Sequence, residues 1–153
     1  MADPYVYPKT NILINKAGIK EQKKLEDFEN TIVNLSLIKL FKEDFIVKSV
    51  YDIFIIHKKI FEEVYDWAGE PRIINIIKQE VVLNGLIVEY CDHELIQHEL
   101  NKLDVEFFKI AKPNQNKADF IKNISKAIAS LWKIHPFYRR EYSSSRNFFI
   151  FFC

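Results

Sequence analysis

A chain of 153 residues that is 48% hydrophobic and 14% aromatic can bury one substantial core, which excludes a disordered segment and points to a single domain. A formal net charge of +1 gives no electrostatic reason to expect nucleic acid or an anionic membrane as partner. Cys91 and Cys153 have no metal-ligand spacing and make no disulfide framework, so a reducing cytoplasm is the expected compartment. The opening Met1-Ala2-Asp3-Pro4-Tyr5 lacks the basic and apolar segments of a signal peptide. No apolar stretch approaches the length of a membrane span.

Residues 1–20 are turn-prone, punctuated by Pro4, Pro8 and Gly18. From Glu21 to Leu40 the apolar residues Leu25, Phe28, Ile32, Leu35 and Ile38 follow helical spacing. A second helix is predicted from Val47 to Tyr65, with Val50, Ile53, Phe54, Ile60, Phe61 and Val64 towards the core. Gly69 and Pro71 stand in the expected stop positions after it. The pattern then changes to Ile73-Ile74-Asn75-Ile76-Ile77 and Val81-Val82-Leu83, followed by Asn84-Gly85 and Leu86-Ile87-Val88. Asn-Gly between apolar runs is a strong hairpin signal. Helical spacing resumes from Asp92 to Ala111, a loop follows at Lys112-Pro113-Asn114-Gln115, and Asn116 to Lys133 forms the next helix. A last helix is expected from Ser143 into the Phe-rich end of the chain. The expected fold is mainly α with one small β-hairpin.

His135-Pro136-Phe137 stops the helix that enters it, because proline cannot continue a helical ladder. A histidine at a helix end, before a polar loop and a further helix, is a candidate general base. On general grounds it is more readily a helix-terminal histidine favoured by the dipole.

Three segments together carry a resemblance. They are Asp3-Pro4-Tyr5-Val6-Tyr7-Pro8 with Leu13-Ile14-Asn15-Lys16-Ala17-Gly18-Ile19, then Ile56 through Glu70 (Ile-His-Lys-Lys-Ile-Phe-Glu-Glu-Val-Tyr-Asp-Trp-Ala-Gly-Glu), then His135-Pro136-Phe137. The chain resembles the Fic (Fido) domain, whose members transfer AMP from ATP to protein hydroxyls. Arg72 and Lys78 stand where the second signature continues. The resemblance implies a helical bundle with a β-hairpin flap, spanning residues 1–153 as one domain cut short after the active-site motif. The truncated last helix is expected to fray.

The family motif runs His-Pro-Phe-x-Asp/Glu-Gly-Asn-Gly-Arg-x-x-Arg. The resemblance makes the histidine the base that takes the hydroxyl proton. It makes the acid a Mg²⁺ ligand, the glycines a backbone cradle for phosphates, and the arginines neutralisers of phosphate charge. Carried onto this chain, His135, Pro136, Phe137 and Arg146 match. Arg139 stands where the acid belongs. Arg140, Glu141 and Tyr142 replace Gly-Asn-Gly, and Ser143 replaces the first arginine. Arg139, Arg140 and Ser143 remain secondary candidates for nucleotide contact, and no residue is assigned to metal.

Tyr138 to Ser143 can be encoded TAT AGA AGG GAA TAC TCG. One base later the same string reads Ile-Glu-Gly-Asn-Thr-Arg, a nearly intact motif. Compensating one-base shifts near Phe137-Tyr138 and Ser143-Ser144 would account for the departure. An intact motif implies Mg²⁺ and ATP; the residues as written imply neither.

His57 lies on an apolar helix face, where a structural role is expected. His93 and His98 are five apart, which is not the i, i+4 metal spacing. Trp67 and Tyr65 read as core anchors under the hairpin. The resemblance also implies that a target protein docks by strand addition along the flap, at Lys78, Glu80, Val81 and Val82; an ordinary packed hairpin is the alternative. No convincing Ser/Thr-x-x-x-Glu inhibitory helix is found, so restraint would come from a separate small antitoxin-like chain. The expected function is AMP transfer from Mg-ATP to a Ser, Thr or Tyr hydroxyl, in a bacterial cytoplasm or delivered from it into a host cell. The alternative is a catalytically inactive Fic module that binds a protein.

Overall fold

The computed structural model describes residues 3–80, 86–110 and 116–138. The expected hairpin turn with Val81 and Val82, the motif residues Arg139, Arg140, Ser143 and Arg146, and the last helix lie outside the described residues. Four helices and a two-stranded sheet make up the rest: α1 (Gln22–Lys42), α2 (Asp52–Phe61), β1 (Ile77–Glu80), β2 (Leu86–Glu89), α3 (Ile96–Ile110) and α4 (Lys117–Ile134). The mainly helical reading with one hairpin holds. Among the described residues no helix is long and apolar enough to cross a membrane.

Helix α1 matches its expected span, but its buried face does not follow the expected stripe. Leu25, Val33, Ser36 and Leu37 are buried, whereas Leu35 and Ile38 are 52% and 54% exposed. Two successive three-residue steps turn a stripe about 120° from its starting face, which carries Ile38 out to solvent. Helix α2 is shorter than Val47 to Tyr65. Ahead of it, carboxylates hold the backbone in a turn: Asp52 accepts from the Lys48 and Ser49 N–H groups at 2.6 and 3.0 Å. Asp104 on α3 accepts from the Val50 N–H at 2.7 Å and from the Ser49 hydroxyl at 2.8 Å. Behind it, the Val64 and Tyr65 N–H groups both donate to the Phe61 carbonyl, and the chain turns instead of continuing.

The hairpin is antiparallel, pairing Ile77 with Glu89 and Glu80 with Leu86. Its first strand begins at Ile77, four residues later than the apolar run Ile73 to Ile77 suggests. The intervening backbone is already engaged. The Ile73 N–H donates to the Tyr5 hydroxyl at 3.0 Å, and the Ile74 carbonyl accepts from the Arg72 guanidinium at 2.7 Å.

Helix α4 starts at Asn116, whose side chain accepts from the Asp119 N–H at 2.9 Å, an N-cap of the usual chemistry. Its inner face joins α3 and the approach to α2 in one core of Val50, Ile96, Leu100, Leu103, Leu131 and Ile134. Val33, Leu37 and Ile60 form a second core between α1 and α2. Leu100 is wholly buried, so Leu100→Ala is expected to lower stability by about 2–5 kcal/mol. Urea denaturation checks this: the midpoint should fall while the slope stays at its wild-type value.

Candidate active site

His135 caps α4 in the left-handed conformation, φ 46° and ψ 66°, with its N–H donating to the Leu131 carbonyl at 2.9 Å. Such a pose costs a non-glycine residue about 1–2 kcal/mol and persists only where neighbours over-determine it. Here they do. His135 is 7% exposed, and its imidazole stacks on Tyr90, ring centres 4.3 Å apart and planes 27° apart. The edge of Trp132 closes on the same tyrosine at 5.7 Å.

The backbone around His135 is held by Arg72, which is 2% exposed. Its Nε donates to the His135 carbonyl at 2.9 Å and one Nη to the Ile134 carbonyl at 3.4 Å. The same Nη donates to the Cys91 carbonyl, and the Arg72 backbone N–H donates to the Pro136 carbonyl at 2.7 Å. The Cys91 N–H adds a bond to the Lys133 carbonyl at 3.2 Å. Carbonyls 133 to 136 therefore all accept from the two stems of the hairpin. Burial pulls the guanidinium pKa down, opposed by Cys91, Asp92 and Tyr5. An arginine stays charged through such a pull, and the negative end of the α4 dipole favours it there.

Phe137 stacks on His57, centres 3.9 Å apart and planes 11° apart, and meets the edge of Phe54 at 5.1 Å. His57 Nδ1 accepts from the Gly69 N–H at 2.9 Å. Both contacts agree with the structural role expected from its place on α2. Gly69 has φ 82°, and a Cβ there would stand 2.7 Å from Lys58 Cβ and 3.0 Å from the Phe54 carbonyl oxygen. Only glycine lets the turn approach α2 this closely.

Tyr138 lies flat on Tyr5, centres 4.0 Å apart, and its hydroxyl donates to the Asp3 carboxylate. Trp67 stacks on Tyr65 at 4.5 Å and meets Tyr5 and Tyr138 edge-on. Both anchors expected from the sequence are in this aromatic cluster. The Trp67 indole N–H has no acceptor among the described residues.

At the outer side of the hairpin base, Asn75 donates to Asp92 at 3.1 Å and accepts from the His93 N–H at 2.8 Å. The His93 side chain is 32% exposed and that of His98 63%. Burial first, and then Glu99, push the Cys91 thiol pKa up. No group of three or more His, Cys, Asp and Glu side chains among the described residues could hold a metal ion.

The structure brings His135 together with Arg72 and Tyr90, while His57 meets Phe137 and Tyr138 meets Tyr5. It places Lys78 and Glu80 on β1, paired with Val88 and Leu86. Sequence reasoning missed Tyr90, Tyr5 and Asp3 as neighbours of the motif, and named Arg72 only as part of a signature. An arginine lodged between Pro71 and the apolar Ile73-Ile74 is the signal that could have marked it as buried.

A model of the Fic/DOC family matches residues 48–139, more than half of the chain. This protein belongs to the Fic/DOC family. A probable protein adenylyltransferase of Sinorhizobium fredii is 32% identical over 138 residues, covering 88% of this chain and 67% of the relative. Among solved structures, the Fic domain of the VirB-translocated effector Bep8 from Bartonella sp. 1-1C is 26% identical. It matches with a TM-score of 0.72 over 95% of this chain and 71% of its own. The N-terminal Fic domain of a putative cell filamentation protein from Bartonella quintana, solved with bound ADP, shares the fold. Its TM-score is 0.76 at 22% identity, over 89% of this chain and 68% of that one. The Fic/DOC chain thus spans about two thirds of the length of these relatives.

Two outcomes follow from this geometry. Gly69→Ala is expected to destabilise the protein by more than about 1 kcal/mol, from strain at positive φ and the contact with α2; a thermal denaturation series reads it. Asp92 has its pKa lowered, first by the Glu94 N–H and then by Asn75. A carboxyl depressed in the folded state contributes stability above its unfolded pKa and loses it as pH falls through the folded value. Asn75→Ala should therefore raise the Asp92 titration midpoint part of the way back, as followed by carboxyl-carbon NMR, with the Glu94 contribution remaining.

Proposed function

We propose that this Fic/DOC chain transfers AMP from ATP to a Ser, Thr or Tyr hydroxyl of a target protein, with His135 as the general base and Arg146 as a phosphate ligand. The supporting observation is the fixed pose of His135, pinned at the end of α4 through its carbonyl, its ring and its own N–H. A base held in one orientation needs no reorganisation when the hydroxyl arrives. The names of the relatives, probable protein adenylyltransferase and a Fic domain with bound ADP, support nucleotide chemistry. The target would lie along β1 by strand addition at Lys78, Glu80, Val81 and Val82. A separate small inhibitory chain could restrain it. The working compartment would be a bacterial cytoplasm, with delivery into another cell supported by the translocated Bartonella effectors.

Magnesium does not fit the donor set as written. Arg139 occupies the acid's position, and a guanidinium offers no oxygen to a hard cation. Arg140, Glu141 and Tyr142 also remove the glycines that would admit phosphates. These residues favour a second reading, a Fic module that binds a protein through its hairpin without transfer. A shifted reading frame would place isoleucine where Tyr138 stands. That exchange would remove the stack on Tyr5 and the bond to Asp3.

Peptide mass spectrometry across residues 133–149, paired with an AMP-transfer assay using labelled ATP, separates the two readings. Transfer predicts a labelled protein hydroxyl and a loss of about 10²–10⁴-fold in His135→Ala, the usual worth of a general base. Confirmed residues 138–143 with neither ATP binding nor label would overturn transfer and leave the binding module.

A further inference from the structure

The last four carbonyls of a helix have no partner within it. In α4 those of Lys133 and Ile134, followed by His135 and Pro136 beyond them, are met by donors from outside their own turn. The Cys91 N–H, the Arg72 guanidinium and the Arg72 N–H serve them. Arg72 enters the first stem of the hairpin and Cys91 leaves the second. The guanidinium also closes the stems on each other, through the Ile74 and Cys91 carbonyls. Tyr90, the residue after β2, lies against the imidazole itself.

We propose that the hairpin stems position His135, Arg72 holding its backbone and Tyr90 the plane of its ring, so that hairpin and histidine move as one unit. Both are positioning residues, and their catalytic meaning rests on His135 being the general base. A planar fork with five donors can serve four carbonyls in two directions; an ammonium on a flexible stem cannot. A strand docked along β1 would then meet a histidine whose height above it is set by the same stems. None of these contacts involves the loop after Tyr138.

The test uses amide hydrogen exchange and NMR on the full chain without nucleotide, so its outcome is independent of whether transfer occurs. In Arg72→Lys, exchange at the Cys91 and His135 amides should rise together by about tenfold or more, the worth of hydrogen bonds to a charged group. The Val33 amide, within α1 and far from the clamp, should keep its rate. Faster exchange at Cys91 with an unchanged His135 amide would overturn the coupling. Asn75→Ala loosens the hairpin base without touching Arg72, and should speed exchange at His93 alone. An equal acceleration at His135 would remove Arg72's special role. If Arg72→Lys does not fold, Tyr90→Leu tests the ring. Its χ1 couplings at His135 should become averaged, and retention of one rotamer would refute the proposal for Tyr90. For Arg72, the wild-type chain then suffices: the Arg72, Cys91 and His135 amides should share one opening free energy and one denaturant slope, and different slopes would overturn it.

Discussion

The end of a helix is a row of carbonyl oxygens that need donors, and in this protein the row at α4 is filled by two strands' worth of approaching chain. The Arg72 guanidinium is the centre of that arrangement. It is a buried cation whose direct partners are backbone oxygens, compensated by the negative end of the helix dipole. Several features of the fold follow from it. Helix α4 can end on a left-handed histidine because its carbonyls are met from outside. Strand β1 can begin only at Ile77, because Ile74 has already given its oxygen to the guanidinium. The guanidinium also ties the two stems at their base, through the Ile74 and Cys91 carbonyls.

His-Pro-Phe-Tyr is also the point where distant parts of the chain meet. The His135 ring goes to Tyr90 beyond β2, Phe137 goes to His57 and Phe54 on α2, and Tyr138 goes to Tyr5 and Asp3 near the start. Each side chain meets a different element, so among the described residues the histidine's pose is built from contacts spread across the fold. The departure from the family motif at residues 139–143 leaves these described contacts of His135 as they are. The two functional readings differ only in that loop.

Most of the helices were legible in the sequence because they are long and amphipathic, but α2 ends at Phe61, before the glycine expected to stop it, and the Asn116 cap emerged only from the structure. His57 was legible as structural, since an apolar helix face surrounds it. The face of α1 was not: Leu35 and Ile38 satisfy a spacing rule locally while drifting off the buried side. The start of β1 was hidden because Ile73 to Ile76 have strand-like side chains, and their backbone groups are claimed by Tyr5 and Arg72, 68 and 2 residues away in sequence. Tyr90 was hidden for the same reason, its partner being a ring 45 residues on. The motif histidine was legible by resemblance, and its surroundings only by structure.

The chain has two tryptophans, and they flank the motif. Trp132 leans on the tyrosine that backs His135, and Trp67 sits edge-on to Tyr138 within the aromatic cluster. Indole emission from the unmodified protein is consequently an optical readout of this one neighbourhood, with little background from the rest of the fold. Docking, loosening or reordering around the histidine can be followed by light, without attaching a dye.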